Sequence, residues 1–170
     1  MQFKFAKKED LNSLEIMINK AYRGEEGWTR ETKLVSGNRV SFKELKNILD
    51  DKNSYLFVLK NNKQIYSCVC VEKKDDYAYL GLLVVDPSMQ TKGIGKRILL
   101  LAEEFVAKVL QLSKIEIAVI AQREELVSFY KRRGYKDTNC MQEYPENRDI
   151  GTPKIQGLQV MFLAKKLKRF

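Results

Sequence analysis

Histidine is missing from all 170 residues. Its absence excludes Ser-His-Asp and Cys-His catalytic groupings and every histidine-ligated metal site. Proton transfer is left to Tyr, Asp, Glu, Lys, Cys or water. Cysteine is scarce: Cys68, Cys70 and Cys140 form an odd set of three, which argues against a disulfide framework. Cys68 and Cys70 stand two apart in a strand-like run and share one face. With no further ligand cluster beside them they read as small core residues, and no metal is expected. No apolar run approaches the roughly 20 residues needed to span a bilayer. The start, Met1-Gln2-Phe3-Lys4-Phe5, lacks the apolar stretch of a secretion signal. The expectation is a cytoplasmic protein with no membrane partner. Repeats, low-complexity segments and linkers are also absent, so residues 1–170 are read as one domain.

What is present is a hydrophobic fraction of 44%, sufficient for a buried core, and a formal charge of +9 from 31 Lys and Arg against 22 Asp and Glu. That excess favours an anionic partner: nucleic acid, a membrane surface or a polyphosphate cofactor. Many of the cations are spread along helical stretches as solvated faces. The tail Lys165-Lys166-Leu167-Lys168-Arg169 is too short to argue for nucleic acid.

The hydrophobic pattern lays out the elements. Phe3 and Phe5 alternate with polar neighbours as a short strand. Leu11, Leu14, Ile18, Ala21 and Tyr22 share a helical face, which Gly24 and Gly27 end. Residues 23–40 read as polar and irregular. Ser41 and Glu44 form a capping box, ahead of a helix that buries Phe42, Leu45, Ile48 and Leu49. Residues 55–59 and 65–71 are strands joined by a turn at Asn61-Asn62. A third strand pattern covers 77–85 and stops at Asp86-Pro87. Helical spacing runs from Gly93 to Leu110, alternation returns at Ile115, Ile117 and Val119, and another helix covers 123–133. Gly134 follows it as a natural C′ residue, with Lys131, Arg132 and Arg133 at the negative end of the dipole. Two last strands, 135–144 and 158–164, flank a turn-rich loop. The order β-α-α-β-β-β-α-β-α-β-β predicts an α/β fold with a mixed central sheet and helices on both faces.

The most informative stretch is the strand Leu82-Leu83-Val84-Val85 followed by Asp86-Pro87-Ser88-Met89-Gln90-Thr91-Lys92-Gly93-Ile94-Gly95-Lys96-Arg97. Two glycines open a helix there, where unpartnered N–H groups and a partial positive charge favour phosphate oxygens. Lys92, Lys96 and Arg97 add charge. A Walker loop would need Gly at Gln90 and Ser or Thr at Arg97, and a dinucleotide fingerprint Gly or Ala at Ile98; neither fits.

Gln90-Thr91-Lys92-Gly93-Ile94-Gly95 resembles the Gln/Arg-x-x-Gly-x-Gly/Ala loop of the GNAT acetyltransferases. Ser128-Phe129-Tyr130-Lys131-Arg132-Arg133-Gly134-Tyr135 resembles their second signature, an aromatic-rich helix end followed by Gly and an aromatic. The resemblance covers essentially the whole chain. Tyr22-Arg23, Gly27-Trp28-Thr29-Arg30-Glu31 and Gly37-Asn38-Arg39 are similar to a bacterial-type subgroup with no settled substrate.

The resemblance implies the GNAT fold and transfer of an acetyl group from acetyl-CoA to a primary amine by direct attack in a ternary complex. It implies that the backbone of Val84 and Val85 pairs with the pantetheine arm. The pyrophosphate would lie on the loop Gln90, Thr91, Lys92, Gly93, Ile94, Gly95 and Lys96. Tyr130 would protonate the departing thiolate. Many relatives carry Asn seven residues before that tyrosine; here Arg123 stands there, either turned towards a CoA phosphate or an exposed helix residue. Trp28, Glu31 and Arg39 are candidates for the acceptor side. Glu31 and Glu72 are weak candidates for a base, and a water chain is the alternative. Two rival readings stay open: a non-catalytic acyl-CoA-binding module, and a basic nucleic-acid-binding protein. The second lacks a helix-turn-helix, zinc ligands and an RNA-binding strand motif, so no specific nucleic acid is expected. A homodimer is left open.

Overall fold

The computed structural model describes residues 1–27, 31–146 and 149–168. In chain order the elements are β1 (Gln2–Phe5), α1 (Leu11–Arg23), β2 (Val35–Ser36), α2 (Phe42–Asp50), β3 (Ser54–Asn61), β4 (Gln64–Lys73), β5 (Ala78–Val85), α3 (Ile94–Lys108), β6 (Lys114–Ile120), α4 (Glu124–Lys131), β7 (Lys136–Glu143), β8 (Thr152–Pro153) and β9 (Gln159–Lys166). Seven strands form one sheet in the order β1-β3-β4-β5-β6-β9-β7. Its neighbours are antiparallel except β5 and β6, which α3 joins as a parallel crossover.

Local chemistry explains where the elements begin and end. Ser41 Oγ accepts from Glu44 N at 3.2 Å, and Glu44 Oε2 accepts from Ser41 N at 2.7 Å, so the capping box at the start of α2 is fully formed. Asn62 takes φ 52 in the β3–β4 turn. Gly134 takes φ 89 just past α4, where a side chain would be strained.

The mixed sheet carries a core on each face. Phe57, Leu59, Val69 and Val71 pack with Ile98, Leu99, Ala102 and Val106 of α3 and with Val127, Phe129 and Tyr130 of α4. Their strand neighbours Leu56, Val58, Cys68 and Cys70 face Leu11, Leu14, Ile18 and Ala21 of α1 and Leu45 of α2. The two cysteines are thus core residues, and burial pushes the Cys70 thiol up to about 12. No helix among the described residues is long and apolar enough to cross a membrane.

Two features depart from the sequence expectation. Val35–Ser36 and Thr152–Pro153, expected to lie in irregular stretches, pair as a small antiparallel sheet. Pairs this short carry almost no periodicity. The second feature lies in β5. Between register points Cys68↔Val84 and Cys70↔Gly81, β4 advances two residues and β5 three. The extra residue is a bulge, and within it Leu82 takes φ 49. Side-chain parity flips there: Ala78 and Leu80 belong to the α3 face, Leu82 and Val84 to the α1–α2 face, and Val85 to the α3 face again. A bulge bends its strand. β5 pairs with β6 only from Ala78↔Ile115 to Leu80↔Ile117, and beyond Leu80 the two strands separate.

Candidate active site

The separated ends of β5 and β6 leave a wedge, and the loop into α3 lies at the tip of β5. Asp86 N donates to Tyr66 O at 2.9 Å, and Ser67 stands opposite Val85. In an antiparallel ladder this arrangement turns the amide and carbonyl of Val85 away from β4, towards the wedge. Val84 faces the other way, and its carbonyl accepts from Ser67 Oγ. The Val85 carbonyl accepts from Gln90 Nε2 at 3.2 Å, so the buried Gln90 side chain fastens the loop to the strand.

The loop has the geometry of an anion cradle. Thr91 at φ 67 and Gly93 at φ 76 are both left-handed, a pattern that gathers successive amides on one side of the chain. Gly93 is the N-cap of α3 and supplies no side-chain cap. The first bond of the helix runs from Arg97 N to Gly93 O, so the amides of Ile94, Gly95 and Lys96 precede the ladder. Ile94 is buried in the α3 core and anchors the turn, while Thr91, Lys92, Lys96 and Arg97 are exposed around it. A Cβ on Gly95 would meet Val85 Cγ2 at 3.5 Å and Phe129 Cζ at 3.7 Å, so α3, β5 and α4 converge there.

Past the bulge the wedge widens into a cavity of about 850 Å³. Its lining includes Tyr22, Glu31, Arg39, Leu82, Val84, Val119, Arg123, Tyr130 and Tyr144. Tyr130 is 6% exposed, stacks edge-on against Phe129 and Tyr135, and its hydroxyl makes no hydrogen bond to a described residue. Burial, with the neighbouring Tyr22 adding to it and Arg123 opposing, pushes its pKa well above the ordinary tyrosine value. Tyr22 is pushed up to about 12, first by burial, with Arg39 opposing.

Charge in this cavity is organised around Glu31. Its Oε2 accepts from Arg23 Nη2 at 3.2 Å and its Oε1 from Arg123 Nη1 at 3.3 Å. Arg23 also donates to Gly37 O and Ile150 O, tying the β2–β8 sheet to the end of α1. Arg123 is 2% exposed, which removes the reading of it as an exposed helix residue. Its Nε donates to Glu125 at 3.0 Å, whereas its Nη2 is buried without a partner among the described residues. Arg39 reaches over the Tyr22 ring at 5.4 Å.

The structure therefore brings Glu31, Arg39, Arg123, Tyr130 and Val84 around one cavity, and gathers Gln90, Thr91, Lys92, Gly93, Ile94, Gly95 and Lys96 at the loop beside it. Glu72 also lines the cavity, but it is paired with Lys74. Trp28 lies outside the described residues. Sequence reasoning gave Tyr22 and Tyr144 no site role, and placed Arg23 on the acceptor side only as the first residue of the segment 23–40. The available signal was weak: Tyr22-Arg23 closes the apolar face of α1, and Tyr144 stands at the end of a strand.

A family model described as an acetyltransferase (GNAT) domain matches residues 18–147. Comparison with curated proteins finds no match. Among solved structures, smu.2055 from Streptococcus mutans UA159 superposes with a TM-score of 0.77 at 16% identity, over 99% of this chain and 100% of that one. The ribosomal-protein-S18-alanine N-acetyltransferase from Escherichia coli gives 0.73 at 15% identity, over 99% and 95% of the two chains. Spermidine N-acetyltransferase from Vibrio cholerae, in complex with CoA and spermine, gives 0.71 at 18% identity, over 97% and 94%. At these identities the likeness is one of fold.

Proposed function

This chain belongs to the GNAT acetyltransferases, and from that membership we propose that it moves an acetyl group from acetyl-CoA to a primary amine by direct attack in a ternary complex. The observation that carries the reading is the parting of β5 from β6 at the Leu82 bulge, beside a helix that starts on glycine. The residues suit the cosubstrate. Amides from Gly93 to Lys96, with Lys92 and Lys96, supply donors and charge for a pyrophosphate. The Val85 amide, on the open strand edge, pairs with the pantetheine arm in the manner of an added strand. Val84 shapes the wall, Gln90 and Ile94 hold the loop, and Thr91 sets its turn.

Acetyl-CoA supplies the activated acyl group; the chain positions it, receives the amine and manages protons. Tyr130 is the proton donor for the departing sulfur. A tyrosine is protonated across the neutral range, as a general acid must be; burial raises its pKa and makes it the weaker acid, so the proton moves only as the sulfur gains charge. Glu31 holds two guanidiniums and Glu72 holds Lys74, so neither carboxylate is free to act as base, and water takes the amine proton. The acceptor approaches from the side of the segment 23–40, where Glu31 and Arg39 line the cavity and to which Trp28 belongs by sequence. Arg123 lies at the junction of the acceptor and cosubstrate sides.

A thermal-shift titration with acetyl-CoA, followed by release of free thiol over a panel of amines, peptide N-termini and polyamines, tests the reading. Acetyl-CoA binding with acceptor-dependent thiol release supports it. Binding without release on any acceptor favours an acyl-CoA-binding module. Salt-sensitive nucleic-acid binding without CoA affinity favours the nucleic-acid alternative.

A further inference from the structure

Among the described residues, Arg39 and Arg123 line the cavity beside the buried carboxylate Glu31; Arg23 reaches Glu31 from outside that lining, and Glu125 reaches Arg123 from the surface. Glu31 is shared between Arg23 and Arg123. The remaining carboxylates that line the cavity are engaged or peripheral. Glu72 pairs with Lys74, Glu44 caps the start of α2, and Glu143 and Asp149 are exposed.

Two sets of donors are left over on the cavity wall. Arg123 Nη2 is buried with no acceptor among the described residues, on a side chain only 2% exposed. A buried, unpartnered N–H of a charged group is costly, which makes such an atom a sign of a missing oxygen. The Arg39 guanidinium makes no hydrogen bond or ion pair among the described residues; its contact is the face of Tyr22. Its backbone is fixed from below, because Arg39 N donates to Asn19 Oδ1 at 2.7 Å. A guanidinium held over an aromatic ring and anchored at its base is placed to receive a carboxylate.

We propose that the amine acceptor carries a carboxylate, and that Arg39 and the unpartnered Nη2 of Arg123 receive it. The acceptor class is then an amino acid, or a peptide N-terminus followed by an acidic residue, rather than a plain amine or polyamine. This rests on the acetyltransferase reading above. The subgroup-like Gly37-Asn38-Arg39 segment thereby helps to set which amines dwell beside the thioester.

The test uses matched acceptors differing only in the carboxylate. One arm takes free amino acids with their decarboxylated amines, and the other takes peptides carrying Asp or Glu with their Asn or Gln counterparts. Thiol release from acetyl-CoA is followed for the wild type and for Arg39→Ala, with Arg39→Gln as a second variant should the first fail to fold. The carboxylated member should be favoured by about 10- to 100-fold in kcat/KM, the ratio expected of a hydrogen-bonded charge pair, and the preference should collapse in both variants. The arm that shows it identifies the source. A second readout needs no turnover: the N-acetylated amino acid, added to CoA-bound protein, should raise the melting temperature of the wild type and not of the variants. That shift without thiol release from any acceptor keeps the anion site and overturns the transferase reading. Thiol release with equal or reversed preference, or a preference untouched in the variants, overturns the anion site and leaves the transferase reading standing. Neither turnover nor a melting shift overturns the inference outright.

Discussion

Replacing Gly95 by aspartate separates the anion cradle from the fold. Gly95 is the second residue of α3, and a Cβ there would make only ordinary contacts with Val85 and Phe129. Losing a helical glycine and gaining a first-turn carboxylate each contribute several tenths of a kcal/mol in favour of the fold. Crowding the carboxylate against Val85 and Phe129 works in the opposite direction. The net change in the ligand-free protein should stay within about 1 kcal/mol, roughly 2–4 °C in Tm for a chain of this size. Binding is another matter. Two unit charges 4 Å apart interact by about 4 kcal/mol at an effective dielectric of 20. If screening leaves two thirds of that, the loss is about 2.7 kcal/mol, or 100-fold in affinity. At an acetyl-CoA concentration 100 times the wild-type Kd, ligand stabilises the wild type by about 2.7 kcal/mol and the variant by only about 0.4. A ligand-induced shift of about 5–10 °C should therefore shrink to about 1–2 °C. Thermal melts with and without acetyl-CoA, and calorimetric Kd values at two salt concentrations, measure both quantities. A folded Gly95→Asp protein that keeps the full shift and a Kd within about threefold of wild type refutes the placement of the pyrophosphate.

Tyr130→Phe should lower kcat by about 10²–10⁴-fold, nearer the low end because a thiolate leaves partly unaided, with CoA affinity unchanged; full kcat in single-turnover measurements would leave Tyr130 as a packing residue. Because its hydroxyl bonds no described residue, the same variant should melt close to wild type. Glu31→Ala leaves the buried Arg123 and Arg23 without their shared counter-ion, and should cost about 3–5 kcal/mol in urea unfolding; a loss under about 1 kcal/mol would show that water already screens the cluster. Tyr22, Tyr130 and Tyr135 have folded pKa values raised by burial. Their contribution is complete below the unfolded tyrosine pKa of about 10 and is lost as pH rises through the folded values. The urea midpoint should thus begin to fall above about pH 8.5, where the unfolded thiols of the buried Cys68 and Cys70 ionise, and fall more steeply above about pH 10 as the tyrosines follow, while kcat shows no alkaline decline from Tyr130 below about pH 10.

Where chemistry is local, the chain could be read directly. Ser41 and Glu44 announce α2, Asn61-Asn62 the first hairpin, and Gly93 and Gly95 the helix whose start makes the cradle; each signal spans a few residues and needs no distant partner. The bulge was hidden because Leu80 to Val85 is apolar on both faces apart from Gly81, so a flip in side-chain parity leaves no trace in the pattern. The β2–β8 pair was hidden because two residues have no periodicity and their partners are far apart in the chain; Ser36 Oγ reaches Thr152 O across 116 positions. Arg123 was legible as a departure from the family pattern but not as a buried cation, since the carboxylate that allows its burial is 92 residues away.

The extra residue at Leu82 also governs when the sheet is whole. Strands that part after three paired positions forgo the ladder that would otherwise run on to Val85. On the proposed reading the pantetheine amides take the vacated place, so the cosubstrate acts as a temporary strand and the architecture is finished only while it is bound. The exchange of amide hydrogens should reflect this: the Val85 amide trades with solvent readily in the free protein and slows on loading, whereas Asp86, bonded to Tyr66 O, stays protected in both. On that reading a single inserted residue stands between a sheet paired through to Val85 and one whose last rungs are made only with the cosubstrate.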